Sequence, residues 1–460
     1  MQKLRSILSI LSLIIIFSSC KKDDPPLPDN LINFEATEQG IASENTDAEI
    51  KLSLSRVTDV AIPLTIELQP SGLTYGTEFT TAPAATANIL TATIAAGSSS
   101  TSFKVTKAAG IFLQGNEFIR AIIKTASSPV LRGTTDTLVI KFSSIVSTGS
   151  QLTLEGKTSV SAYANSVFAD LSNNKQTPVD RKSWNLGFYN GADFKVIINQ
   201  AFQATAKALS KTDITTVGFA DTVGVQLNHN IEDPATVSLV DYWDGDMSKT
   251  AFAAVSATDA DNKVYLVSFE TSKNQDQYFK VKVTRNSNGY KVQYARVGET
   301  TIKTVDVPKT ADYNFSFVSL ETNNVVLVEP KKANWDIEWS YGTYNSGLGS
   351  PYWFQDLVLL NHVGGVQAAE VLETAVTYDA FVESNIAAVS FSTKRDAIGS
   401  KWRQGAGPSG AGSIKRDRFY VIKDSQSNVY KLKFISWGGG GDAGERGRPV
   451  IEYKLVKKGS

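Results

Sequence analysis

Tyr278-Phe279-Lys280-Val281-Lys282-Val283 and Tyr430-Lys431-Leu432-Lys433-Phe434-Ile435 place apolar and charged side chains at alternate positions. A period of two sends successive side chains to opposite faces of an extended chain, so each run reads as a half-buried β-strand. Phe194-Lys195-Val196-Ile197-Ile198 repeats the pattern upstream. Ile62-Pro63-Leu64-Thr65-Ile66-Glu67-Leu68 and Ser102-Phe103-Lys104-Val105 carry it into the first third of the chain. There, turn signals at Gly72, Gly76, Gly97, Gly115 and Gly133 recur at the spacing of a β-sandwich, with no helical stripe between them. The polar patch Ser147-Thr148-Gly149-Ser150 sets a boundary near residue 148. The fold class is therefore all-β, with a sandwich over 31–147 and an aromatic-rich all-β domain over 148–460. Ala201–Ser210 and Asp379–Asn385 are the better helix candidates. Two Trp-led strands, starting at Trp184 and Trp335, open alike 151 residues apart. They are either the mark of an internal duplication or two buried strands that share a common opening.

The chain has 460 residues, with 46 basic residues against 46 acidic. That balance excludes a strongly basic nucleic-acid binder. Two His, one Cys and two Met leave little for metal clusters, His-based catalysis or disulfides. Lys3 and Arg5 precede the mostly apolar Ile7–Phe17, and Ser18-Ser19 precede the only Cys, Cys20. This is a secretory signal over 1–20, too short to span a bilayer. The small residues before Cys20 resemble the lipobox of bacterial lipoproteins, which implies acylation at Cys20 and a lipid anchor. Residues 21–30, KKDDPPLPDN, read as a proline-stiffened tether. Lys22 followed by Asp23-Asp24 resembles the signal that sends lipoproteins of some Gram-negative bacteria to the cell surface, which implies the outer membrane as the site of display.

Tyr75-Gly76-Thr77-Glu78-Phe79, ATIAAGSSSTSFKV and GNEFIRAIIKTAS resemble the calx-beta type of immunoglobulin-like domain. The acidic residues there, Glu35, Glu78, Glu117 and Asp136, are scattered, so the domain is expected to be a spacer. Over 151–458, the segments RKSWNLGFYNGADFKVIINQ, VEPKKANWDIEWSYGTY, DLVLLNHVGGVQAAEV and YKLKFISWGGGGDAGERGRPVIEYKLVK resemble the HmuY-like family of haem-binding bacterial lipoproteins. The resemblance implies a non-enzymatic surface module that captures haem and passes it to an outer-membrane transporter.

Haem needs soft axial donors. Beyond the leader the chain offers three, His362, His229 and Met247. His362 stands first because it lies in the family-like DLVLLNHVGGV segment. A hydrogen-bonded structural His is its alternative, as a surface His is for His229 and a packing residue for Met247. Arg446 and Arg448, with Lys401-Trp402-Arg403, offer a rim for an anionic ligand such as haem propionates, or are ordinary basic loop residues.

Other chemistry is thinner. A Ser-His-Asp hydrolase needs a His shuttle, and no G-x-S-x-G elbow accompanies either His. Asp241, Asp244 and Asp246 in DYWDGD, with Trp243 as a platform, form the best sugar-binding cluster. They support the alternative of a surface lipoprotein that binds sugar or protein. Asp259-Ala260-Asp261-Asn262 lacks the Gly and Glu of a calcium loop and reads as a turn. The stretches Gly405–Gly412 and Gly438–Gly441 lack the G-K-[ST] ending of a phosphate loop.

Overall fold

The computed structural model describes residues 28–41, 46–108, 117–142, 147–269, 274–405 and 412–459. Cys20, the leader before it and residues 21–27 of the tether lie outside the described residues. Strands, turns and short 3-10 segments make up what is described. No described helix is long and apolar enough to cross a membrane.

The first unit is a sandwich of two five-stranded sheets. One orders Phe79–Ala82, Ser100–Lys107, Asp47–Leu54, Asn30–Phe34 and Val130–Arg132. The other orders Glu38–Gly40, Thr137–Lys141, Phe118–Ala126, Ile62–Ser71 and Ile89–Ile94. In Ile62–Ser71 the alternation sends Ile62, Leu64, Ile66 and Leu68 inward and leaves Pro63 exposed. These four join Ile50, Leu52, Phe103 and Val105 in one core, the packing expected of facing antiparallel sheets.

Residues 149–457 form two further sandwiches with separate cores. The framing sandwich packs Gly149–Thr153, Val450–Lys457, Val429–Ser436, Arg418–Lys423 and Gln367–Leu372 against Lys175–Asp180, Asn165–Asp170, Ile337–Asn345 and Pro351–Leu360. The inserted sandwich packs Val196–Ile198, Leu186–Tyr189, Phe315–Ser319 and Asn324–Val326 against Thr205–Ala208, Val264–Ser268, Phe279–Asn286, Gly289–Arg296 and Lys303–Pro308.

The two sandwiches repeat one another bond for bond around the Trp-led strands. Asn185 N donates to Val318 O at 2.8 Å, and Asp336 N donates to Ala169 O at 2.7 Å. Asn185 Oδ1 accepts from Leu320 N, as Asp336 Oδ2 accepts from Leu171 N. Asn199 Nδ2 donates to the carbonyls of Arg181 and Trp184, and Asn361 Nδ2 to those of Lys332 and Trp335, all at 2.8 Å. Leu186 pairs with Ile198 where Ile337 pairs with Leu360. The matching hairpins turn through left-handed Asn174 and Asn323. The region is thus an internal duplication with exchanged strands. Each half, 149–296 and 303–457, opens with three strands that pair into the sandwich completed by the other half.

Neither helix expectation survives. Over Ala201–Ser210 the chain makes a single 3-10 turn, Gln200–Phe202, and then the strand Thr205–Ala208. Asn199 caps the turn from Phe202 N, and Gln203 at φ 54° ends it. Ala-rich composition is overridden here by pairing with Val264–Ser268. At Asp379–Asn385 the helical tendency shrinks to the 3-10 segment Glu383–Ala388.

Candidate functional site

The duplication brings equivalent residues into the wall of one cavity between the framing and inserted sandwiches. Phe168 meets Trp335 edge to face at 5.0 Å, and its counterpart Phe317 meets Trp184 in the same way at 4.7 Å. These two aromatic pairs line the apolar end, with Phe315 and Val328. The polar end holds Gln200, Glu338, His362 and Arg395. Gln200 and His362 are themselves counterparts: each directly follows the matched asparagine, Asn199 or Asn361. The carbonyl of each accepts from the residue three positions on, Gln203 N at 3.2 Å and Gly365 N at 3.1 Å. Arg395 ties this polar end together, donating from Nη1 to Gln200 Oε1 at 3.0 Å and from Nη2 to Glu338 Oε2 at 3.3 Å.

Both ring nitrogens of His362 face backbone carbonyls. Nε2 lies 3.0 Å from Gly245 O, and Nδ1 lies 3.4 Å from Leu360 O. Burial, with the Arg395 guanidinium beside it, lowers the imidazole to about 4, so the ring is neutral at neutral pH and has one N–H. That N–H is donated from Nε2 to Gly245 O, the shorter contact. Gly245 sits at φ 83°, and a Cβ there would clash with His362 Nε2 and come within 2.8 Å of Arg395 Cβ. Burial also raises Glu329, in the same wall, to about 8, against the pull of the Phe315 and Asn314 backbone N–H groups. Glu329 is therefore a neutral acid at pH 7. Its Oε1 accepts from Phe315 N at 2.8 Å.

Of the residues singled out by sequence, His362 and Met247 meet in this cavity, although 115 positions separate them. His229 is half-buried and does not line it. Arg446 and Arg448 are not a rim for it. Arg446 donates to buried Asp356 at 2.8 Å and stacks over Trp437 at 3.5 Å, while Arg448 pairs with Glu155 and Glu445. Lys401-Trp402-Arg403 is no rim either. Trp402 is fully buried with Nε1 donating to Asp356 O, and Arg403 pairs with Asp356 at 3.8 Å.

The sugar platform also dissolves. Trp243 is buried and Tyr242 stacks on it at 4.2 Å. Asp241 is buried and accepts from Ile198 N and Ala251 N, its acid raised to about 6 by burial. Asp246 closes its own turn with Ser248. Residues 406–411 of the Gly405–Gly412 stretch lie outside the described residues.

Gln200, Glu329, Glu338, Asn361 and Arg395 were not legible as site residues. Each is a single polar residue in a strand end or turn, and no motif carries it. The similar openings at Trp184 and Trp335 were the one visible hint, but a direct alignment of the two sets Ser350, not Asn361, beside Asn199 and so does not reach His362.

Haem does not fit this site as it stands. The room inside is about 80 Å³, where pockets for drug-sized ligands run to roughly 300–1,000 Å³. The imidazole nitrogen that would meet iron is committed to Gly245 O.

No curated protein matches the chain. Solved structures similar to it include the apo-form Calx CBD1 domain, at 11% identity over 25% of this chain and 97% of that one, with a TM-score of 0.22. A protein from Bacteroides ovatus ATCC 8483, provisionally described as carbohydrate binding, matches at 10% identity over 94% of this chain and 99% of that one, with a TM-score of 0.19. A two-domain protein of unknown function from Bacteroides fragilis NCTC 9343 matches at 11% identity over 41% and 72%, with a TM-score of 0.19. The family model described as HmuY protein matches residues 162–453, a span that takes in most of both duplicated sandwiches and every residue of the cavity. The chain belongs to the HmuY family.

Proposed function

We propose that this protein is a non-enzymatic capture protein of the bacterial surface, anchored to the outer membrane through acylated Cys20, and that the cavity between its duplicated sandwiches takes a compact amphipathic ligand. The observation that carries the reading is the wall itself: two edge-to-face aromatic pairs at one end, and Gln200, Arg395 and Glu338 already hydrogen-bonded into a fixed polar edge at the other. An apolar slot with a few convergent polar groups is the usual form of a small-molecule site. HmuY proteins are a binding-protein family, in keeping with a role without catalysis. The leader sequence supports the anchor, and incorporation of labelled palmitate at Cys20 is the check on it.

A thermal-shift screen of small hydroxylated rings, phenols and monosaccharides is expected to return at least one compound that raises Tm saturably. A site bound only in the folded state adds stability as the logarithm of ligand concentration, about 2.7 kcal/mol at a hundredfold excess over Kd. A flat response across the panel, with saturable binding of hemin instead, would overturn the compact-ligand reading.

The second reading is haem, since the family is associated with haem binding and His362 and Met247 face one cavity. It requires the wall to open and Gly245 O to release His362.

A further inference from the structure

Residues 242–250 form a strap that is shaped from within and tied at its base by one carboxylate. Asp241 Oδ2 accepts from Ile198 N at 2.8 Å, and Oδ1 accepts from Ala251 N at 2.9 Å, so a single buried side chain holds both ends of the strap to the inserted sandwich. Between those ends Tyr242 N donates to Lys249 O at 3.0 Å, Gly245 N to Tyr242 O at 3.1 Å and Lys249 N to Asp246 O at 2.9 Å. Asp244 Oδ1 accepts from Asp246 N, and Asp246 Oδ1 from Ser248 N and Oγ. The strap keeps its shape without help from its neighbours.

Polar contacts cross from this strap to the framing sandwich at one place, beside the cavity. His362 Nε2 donates to Gly245 O at 3.0 Å, Arg395 N donates to Asp244 O at 2.8 Å, and Lys394 Nζ lies 3.6 Å from Asp244 Oδ2. The Lys394 side chain is 65% exposed, so that ion pair is weak, and among the polar contacts the two hydrogen bonds are the stronger, beside the burial of Trp243. Tyr242, Gly245, Asp246 and Met247, all on the strap, line the cavity.

We infer that the strap is a gate over the cavity, hinged at Asp241 and Ala251 and latched by His362. A unit that is closed on itself, clamped at its base and held at its tip by a few polar contacts opens as a body, because no backbone bond inside it has to break. His362 is then a positioning residue: it sets the access of ligand and does not touch iron. The counterpart position carries Gln200, which also directs its amide at this loop, donating from Nε2 to Asp241 O at 2.5 Å. The duplicated pair grips the strap from both sandwiches. This inference rests on the reading of the cavity as the ligand site.

Amide hydrogen exchange on the mature chain, without ligand, tests the gate. Loss of the latch in His362→Ala is expected to speed exchange in the 242–250 peptides and at Arg395 N–H by about tenfold, the worth of one hydrogen bond. The strands Val196–Ile198 and Gln367–Leu372 should keep their rates. His362→Gln, which restores an N–H donor, should return the strap to wild-type exchange. Should His362→Ala not fold, Gly245→Ala makes the same comparison, since its Cβ would push against His362. Unchanged strap exchange in these variants, or acceleration spread evenly into the flanking strands, would overturn the gate. Because exchange is read without ligand, a silent ligand screen sinks the capture reading alone and leaves this result to stand.

Discussion

Replacing Asn361 by alanine is expected to destabilise the protein by on the order of 4 kcal/mol. Asn361 is 1% exposed and uses both ends of its amide. Nδ2 donates to Lys332 O and Trp335 O, while Oδ1 accepts from Gly364 N at 2.9 Å and Asn314 Nδ2 at 2.8 Å. Alanine would strand the buried Trp335 carbonyl and the buried Asn314 amide, and would loosen the part-buried bonds to Lys332 O and Gly364 N; each buried unsatisfied group costs about 1–3 kcal/mol. Asn199→Ala should be of the same order, because Asn199 is fully buried and makes the matching bonds to Arg181 O, Trp184 O and Phe202 N. Asn345 supplies the contrast. Its Oδ1 caps an exposed turn at Gly347 N, so alanine there should stay within about 0.5 kcal/mol. Urea unfolding of the three variants reads these differences, and a cost below about 1 kcal/mol at both Asn361 and Asn199 would contradict the structural role of the repeat.

That pair of asparagines also marks where the sequence stops being readable. The N-terminal sandwich was open to inspection because local alternation decides it: Ile62, Leu64, Ile66 and Leu68 fall on the buried face as their spacing requires. The similar starts at Trp184 and Trp335 were visible too. Their consequence was not, because Asn199 follows its tryptophan by 15 residues and Asn361 follows by 26, the extra length being taken up in the longer strands Ile337–Asn345 and Pro351–Leu360. Strand exchange is a matter of non-local pairing, and no local pattern distinguishes a strand that pairs at home from one that pairs in the other sandwich. His362 could be singled out but not placed, since its role depends on Gly245, 117 residues away. Arg446 and Arg448 looked like a rim because basic loop residues look alike until their partners, Asp356 and Glu155, are seen.

Glu329→Gln should stabilise the protein above pH 8 and leave it nearly unchanged near pH 4.5. Burial raises Glu329 from an ordinary 4.5 to about 8. Below 4.5 both folded and unfolded states carry the proton, and the group adds no pH dependence. Between 4.5 and about 8 the folded state keeps a proton that the unfolded state has released, so stability falls as pH rises through that window and levels off above it. A shift of that size corresponds to a loss on the order of 4–5 kcal/mol by pH 8.5. Glutamine is neutral at every pH and matches the protonated acid in shape, so it keeps the packing and removes the loss. Urea unfolding of wild type and Glu329→Gln at pH 4.5 and 8.5 gives the comparison. Parallel stabilities at the two pH values would show that Glu329 ionises normally and would withdraw the neutral acid from the cavity wall.

The cavity as a site for a compact ligand, with His362 spent on the strap, is tested most directly by titrating hemin into the mature protein and following the Soret band. With about 80 Å³ of room and the imidazole nitrogen on Gly245 O, the wild type is expected to give no saturable shift at one equivalent, and His362→Ala should be indistinguishable from it. A saturable one-to-one Soret shift in the wild type that His362→Ala abolishes would contradict the account and restore His362 as an axial donor.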